Sequence, residues 1–303
     1  MSTIQISHLT KRYGRFAAVD DLSLEIPAGS VFGLLGPNGA GKTTTFKCML
    51  DLARPTSGTV LYDGKPLAPE AFEKIAYVPE RSVLYEWMTV AEHLEMERRA
   101  FRAFDTKRAF ELLAGFDVDP RKTARKLSKG MRTAVMAAIA FARNADILIL
   151  DEPTSGLDPV NQRTVLSLII NEAAKGHSVI FSSHQVGQVE RAAERIAVMD
   201  RGRMVLSGEI DELKADRKIV EGIFPSESYA LDGLASDPRV AHVECTERIC
   251  RVLVLSGADE IGNALAQRGA AGVRIVDLNL EDIFLYAVSP KTADADVVAG
   301  ARQ

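Results

Sequence analysis

The sequence predicts an α/β core, a mixed sheet with helices packed on it, followed by a small α+β domain. Three observations carry this prediction. The stretch Gly36-Pro37-Asn38-Gly39-Ala40-Gly41-Lys42-Thr43-Thr44 follows an apolar, strand-like run over 31–35 and opens a helical run over 43–52, which gives the order strand, glycine loop, helix. The run Ile147-Leu148-Ile149-Leu150 ends in Asp151-Glu152-Pro153, as a strand buried on both faces of a parallel sheet would. Beyond about residue 215 the short periodic segments follow the order β-α-β-β-α-β-α, the pattern of a split βαβ unit. A chain of 303 residues accommodates one large domain and one small one.

Taken in order, residues 4–9 and 22–26 alternate like strands. Tyr13 lies between them, before Gly14. Its ring either stacks on a base or sits half-buried on its strand. The glycine loop fits a phosphate-binding pattern, and its residue types explain why. Gly36, Gly39 and Gly41 remove side chains that would hold the backbone away, so N–H groups can curl around a phosphate. The helix start adds unpaired donors and the positive end of its dipole. Lys42 supplies a full charge, and the Thr43 hydroxyl can ligate Mg²⁺.

Strands are predicted over 58–64 and 75–79, with a loop over 80–85. Residues 89–116 read as helical and rich in Arg and Lys, a pattern better suited to a solvated face than to a dedicated contact surface. Leu127-Ser128-Lys129-Gly130-Met131 leads into an apolar helix ending near Arg143, with Ser128 as its N-cap. Two carboxylates at the end of a buried strand are costly unless they have a task. Beside a phosphate loop, Asp151 can hold Mg²⁺, and Glu152 can polarise an attacking water. Ser155-Gly156-Leu157-Asp158 turns the chain into a helix at Pro159. A strand over 179–184 delivers His184 to the edge where parallel sheets bind nucleotides, which favours a γ-phosphate contact. Asp200-Arg201-Gly202-Arg203 reads as a hairpin turn.

A short helix over 209–216 leaves the core. Strands over 218–224, 240–245, 249–255 and 273–278 follow. Helices are expected over 258–268 and 280–288, with a weaker one over 229–235. The small, polar stretch 289–303 reads as a flexible tail.

A net charge of −4 gives no global basic field for nucleic acid. Cys48, Cys245 and Cys250 show no metal-ligand spacing and read as ordinary residues of a reducing compartment. No signal-peptide pattern opens the sequence, and apolar runs such as 134–142 fall short of the ~18 residues a membrane span needs. Any membrane role is therefore expected to come through a partner.

Together these motifs closely resemble the ATP-binding subunit of an ABC transporter. The resemblance covers about residues 2–215 and includes the P-loop, the signature (127–131), the Walker B strand (147–152), the D-loop (155–158) and the switch histidine, His184, in family order. It implies a P-loop ABC ATPase core with antiparallel β and helical subdomains over 1–215, an accessory α+β domain over 216–288 and the tail. It also implies that two copies dimerise head-to-tail, with ATP on the P-loop of one capped by the signature of the other. On that basis Tyr13 stacks on adenine. Gly36, Asn38, Gly39, Ala40, Gly41, Lys42, Thr43 and Thr44 bind phosphate. Thr43 and Asp151 hold Mg²⁺, Glu152 is the general base, and His184 contacts the γ-phosphate. Ser128, Lys129, Gly130 and Asp158 serve the facing site.

Two positions depart from the usual pattern. Glu80 stands where the family most often has glutamine; it accepts but does not donate, and can ligate Mg²⁺. The signature reads LSKGM, so Lys129 adds a charge. These departures and the ending Leu280-Glu281-Asp282-Ile283-Phe284-Leu285 resemble bacterial exporters whose permeases are separate polypeptides. The implied protein is a cytoplasmic ATPase, peripheral on the inner face of the membrane. The loop over 80–88 would be its permease contact, with Tyr85 and Trp87 either anchoring it or packing inward. The alternatives are a soluble ABC ATPase of assembly or regulation, and a non-catalytic module gated by nucleotide.

Overall fold

The computed structural model describes residues 3–226, 231 and 233–288. The expected flexible tail, and residues 229, 230 and 232 of the weak helix expected over 229–235, lie outside the described residues. The chain divides into two compact units, Met1–Ser207 and Gly208–Gln303. The helix expected to close the first domain therefore belongs to the second.

In the first unit, β1 (Ile4–Tyr13), β2 (Phe16–Ile26) and, later, β4 (Ser57–Tyr62) form an antiparallel sheet in the order β2-β1-β4. The central sheet holds β3 (Val31–Leu35), β5 (Ile75–Val78), β6 (Ile147–Asp151), β7 (Ser178–Ser183), β8 (Arg195–Asp200) and β9 (Arg203–Glu209) in the order β5-β6-β7-β3-β8-β9. Its neighbours from β5 to β8 pair in parallel. β3, β6 and β7 are buried at every residue, as a sheet covered on both faces requires. Strand β3 feeds α1 (Lys42–Met49) through the glycine loop. The turn between β8 and β9 has φ of 47° at Arg201 and 83° at Gly202, the double positive φ that matches a hairpin's twist.

The expected helix over 89–116 is two helices, α2 (Val90–Ala100) and α3 (Thr106–Gly115). No Gly or Pro marks the break. Asp105 causes it by capping α3 through the Arg108 amide, while its own amide bonds Ala142 O at 2.7 Å. That tie anchors the turn to the end of α4 (Lys129–Ala142). The start of α2 has a reciprocal capping box between Thr89 and Glu92. Two further helices, α5 (Pro159–Ala174) and α6 (Val186–Ala192), complete the unit.

The second unit contains α7 (Ile210–Asp216), β10 (Lys218–Ile223), β11 (Val240–Thr246), β12 (Ile249–Val254), α8 (Ala258–Gln267), β13 (Gly272–Asp277) and α9 (Leu280–Val288). The sheet order is β11-β12-β10-β13, and every pair is antiparallel. β12 thus lies between β10 and β11, and β10 between β12 and β13, which is the interleaving of two split β-x-β units. Among the described residues, the first crossover carries only a short 3₁₀ turn, Leu234–Ser236. One face of the sheet packs Val220, Cys250, Val252 and Val254 with Ile261 and Leu265 of α8.

The reading of all three cysteines as ordinary residues needs correction. Cys245 and Cys250 face each other across the β11–β12 hairpin, 4.1 Å apart at Cα, and are joined as a disulfide. Spacing did not reveal the pair, because it arises from strand register. Cys48 is free and buried.

Candidate active site

The loop that follows β3 and the carboxyl end of β6 converge on one cavity of about 210 Å³. Pro37, Asn38, Gly39, Ala40, Gly41, Lys42, Thr43, Thr44, Glu80, Asp151 and Glu152 line it. Ten of the residues singled out from sequence therefore meet in one place. Gly41 opens α1 with φ of 109°, and a Cβ there would lie 2.4 Å from Ala18 O. Only glycine fits both the conformation and the approach.

Each side chain is fixed by its neighbours. Lys42 is nearly buried; its Nζ donates to Gly36 O at 2.6 Å and to Pro37 O at 3.3 Å, and lies 3.5 Å from Glu152 Oε1. Thr43 Oγ1 donates to Asp151 Oδ2 at 2.6 Å, and Ser182 Oγ donates to Asp151 Oδ1 at 2.6 Å. The same serine oxygen accepts the Glu152 amide at 2.9 Å. His184 Nδ1 lies 2.9 Å from Glu152 Oε2. Burial pushes the Asp151 carboxyl above its usual range, Glu80 and Glu152 push the same way, and the two hydroxyls oppose them. Glu152 Oε1 is buried without a hydrogen bond. A buried acceptor left open is costly, and it marks where a bound group belongs.

The donor set suits a hard cation. Thr43, Asp151 and Glu80 offer oxygens in one cavity, the ligand type Mg²⁺ prefers. Among the described residues no three His, Cys, Asp or Glu side chains gather as an all-protein metal cage. Mg²⁺ that shares its coordination with phosphates needs only one or two protein ligands.

Other expected residues lie elsewhere. Tyr13 is 51 % exposed and does not line the cavity; its cross-strand partner Phe16 does. The aromatic residue at the cavity is one that sequence reasoning missed, and its signal was a second ring two residues past Gly14. Ser128, Lys129, Gly130 and Asp158 do not line the cavity either. Ser128 Oγ accepts the Met131 amide at 3.2 Å, capping α4. Asp158 caps α5 by accepting the Val160 and Asn161 amides. These residues form a separate patch, in which the signature helix meets the D-loop. Thr133 Oγ1 donates to Ser155 O at 3.0 Å.

Sequence reasoning also missed Ser182 and Gln188. Ser182 lies next to the end of the fully buried strand β7, so its hydroxyl needed a partner. Gln188 accepts from Thr154 at 2.7 Å and from Ser183 at 3.2 Å, bracing the segment after Glu152 against the one that carries His184. Nothing in the pattern of α6 announced it.

A glycine loop on a parallel sheet, a buried Asp-Glu pair and a histidine on that glutamate define a nucleotide-binding ATPase. The family model described as ABC transporter matches residues 19–155. The chain is 34% identical over 301 residues to the Nod factor export ATP-binding protein I of Cupriavidus metallidurans, covering 96% of this chain and 99% of that relative. It is also 34% identical to the bacitracin transport ATP-binding protein BcrA of Enterococcus faecalis, covering 93% and 94% respectively. A solved ATP-binding subunit of an ABC transporter superposes with a TM-score of 0.64 at 30% identity, over 70% of this chain and 92% of that one. The chain belongs to the ABC transporter ATP-binding protein family and is an ATPase of that class.

Proposed function

We propose that this chain hydrolyses ATP to ADP and phosphate as a head-to-tail nucleotide-sandwich dimer and thereby drives a separate membrane permease, as an exporter. The observation that carries the catalytic part is the placement of Glu152. Its carboxylate is held between Lys42 and His184, and one oxygen is left without a hydrogen bond. That oxygen is the base. It accepts a proton from a water, whose oxygen then bonds the γ-phosphorus as the bond to ADP breaks. His184 orients the carboxylate and contacts the γ-phosphate. The loop amides and Lys42 hold the phosphates. Thr43, Asp151 and Glu80 would hold Mg²⁺, which would supply charge neutralisation for the phosphates. Adenine stacking is assigned to Tyr13, whose cross-strand partner Phe16 lines the cavity. Ser128, Lys129, Gly130 and Asp158 serve the other copy's site.

Three observations support the transport part. The two relatives named above are transport or export ATP-binding proteins by name, and no described helix is long and apolar enough to cross a membrane. Tyr85 and Trp87 are 45 % and 74 % exposed in the loop before α2, which suits anchors for a permease. The protein would thus sit peripherally on the inner face of the membrane.

The test is Glu152→Gln. ATP binding should persist, phosphate release should fall at least about 100-fold, and the variant should co-purify with a polytopic membrane protein when ATP and Mg²⁺ are present. Unchanged phosphate release would remove Glu152 as the base. A variant recovered only from cytosol would remove the permease.

A further inference from the structure

We propose, on the reading of Glu80 as a metal-holding residue given above, that Tyr77 is its positioning residue: with nucleotide and Mg²⁺ bound, the Tyr77 hydroxyl donates to the Glu80 carboxylate and keeps it turned toward the P-loop cavity. Tyr77 Oη is buried and has no hydrogen-bond partner among the described residues. A buried hydroxyl left unpaired is costly, and a native fold that keeps one has a reason for it. Strand register places the ring. Tyr77 on β5 is paired with Ile149 on β6, two residues before Asp151. Side chains two apart share a face, so Tyr77 lies on the face of the sheet that carries Asp151. It packs against the core cluster that holds Ile149 and, from α1, Phe46 and Met49. Tyr77, Thr43 and Glu80 line one cavity of about 660 Å³, and Thr43 and Glu80 also line the P-loop cavity. Burial raises the pKa of the phenol, and the charges of Asp151 and Glu80 raise it further. Both carboxylates therefore act on a phenol that keeps its proton and can only gain by donating it.

The existing hydrogen bonds select Glu80 over Asp151 as the acceptor. Both Asp151 oxygens already accept hydroxyls, from Thr43 and from Ser182. Glu80 is exposed and has no hydrogen bond or ion pair among the described residues, so its side chain is free to turn. A glutamate brings no donor of its own, whereas a glutamine would; the donor for this position has to come from a neighbour. An ionised carboxylate has acceptor sites on both oxygens, so one can take the phenol hydrogen while the other faces a cation. Ordering an exposed glutamate costs rotamer freedom. A donor fixed in a packed strand offsets that cost, and the bond it makes to a charged group is of the stronger kind.

Calorimetric titration of the full chain with adenylyl imidodiphosphate, an ATP analogue that is not hydrolysed, tests this in Mg²⁺ and again in EDTA. Tyr77→Phe removes one oxygen and keeps the ring. Its affinity for the analogue should fall about tenfold in Mg²⁺ and stay at the wild-type value in EDTA. Glu80→Ala should lose at least as much in Mg²⁺, and adding Tyr77→Phe to it should change nothing further. Without nucleotide, Tyr77→Phe should melt at or above the wild-type temperature, because an unpaired buried hydroxyl is gone. A lower melting temperature would mean that the hydroxyl is already satisfied in the empty protein, and would overturn the proposal. So would an equal loss in Mg²⁺ and EDTA, or losses that add in the double variant, since the hydroxyl would then act without Glu80. If Glu80→Ala loses affinity and Tyr77→Phe does not, the positioning role alone falls and Glu80 remains a metal-holding residue. If Glu80→Ala binds like the wild type in Mg²⁺, the metal reading of Glu80 falls and the role of Tyr77 with it.

Discussion

Glu152 has the φ of a left-handed residue, 50°, and is only 8 % exposed. Such a conformation costs about 1–3 kcal/mol and persists only where surroundings over-determine it. Here the Ser182 hydroxyl fixes the amide and His184 fixes one oxygen, leaving the other free for chemistry. Gly130 shows a different constraint. Its φ is ordinary, but a Cβ would lie 2.3 Å from Gly156 O, so the signature helix and the D-loop touch backbone to backbone. Gly130→Ala should cost about 1–3 kcal/mol of stability and lower ATP turnover by displacing the D-loop. Gly115→Ala, on the last residue of α3 with open space around it, should be neutral or gain up to about 1 kcal/mol. Urea denaturation of the two variants compares them directly; equal effects would mean that the close approach at Gly130 does not matter. From sequence, Gly130 was legible only as a residue that preserves a phosphate contact. The approach of residue 156 to residue 130 depends on tertiary packing, which no local pattern encodes.

Among the elements, those with a strong local signature were legible. Strand, glycine loop and helix, the buried strand ending in Asp151-Glu152, and the Arg201-Gly202 turn each rest on chemistry within ten residues. What depends on a distant partner was not. The break between α2 and α3 is set by Ala142, the cysteine pair by strand register, and the role of Ser182 by β6. Glu172 on α5 is another case. It is 1 % exposed and accepts from Arg108 of α3, from Lys175 at 3.0 Å, and lies 2.9 Å from His177 Nδ1. Burial alone would raise its pKa, but these three partners outweigh burial and hold it below the usual carboxylate range. A lowered folded-state pKa means the stabilisation is present above the unfolded value and lost as pH falls through the folded one. Glu172→Gln should therefore cost about 1–3 kcal/mol at pH 7, and its deficit against wild type should shrink as the pH is taken below the usual carboxylate range. Thermal melts across that window check both. A deficit independent of pH would assign the loss to packing rather than to charge.

At the scale of the whole molecule, the first unit carries the P-loop cavity and, apart from it, the patch where the signature helix meets the D-loop. Of the expected site residues, the P-loop cavity gathers Thr43, Asp151, Glu80, Glu152 and the loop from Asn38 to Thr44, but not Gly36, His184, Ser128, Lys129, Gly130 or Asp158. A helix N-terminus offering Ser128 and Lys129, a lysine with no ion pair among the described residues, makes chemical sense when another chain supplies the phosphate. If two copies share each site, inactivation at one half can be complemented by inactivation at the other. Lys42→Ala removes the phosphate-loop charge and leaves the signature intact; Ser128→Arg blocks the signature and leaves the loop intact. Each variant alone should show almost no phosphate release. When they are mixed, half of the dimers are mixed, and each mixed dimer holds one site with an intact loop from one chain and an intact signature from the other. Phosphate release should then rise well above either parent, toward about a quarter of the wild-type rate if a single site turns over unaided. A mixture no more active than the variants apart would mean that each chain completes its own site, and the head-to-tail arrangement would have to be abandoned.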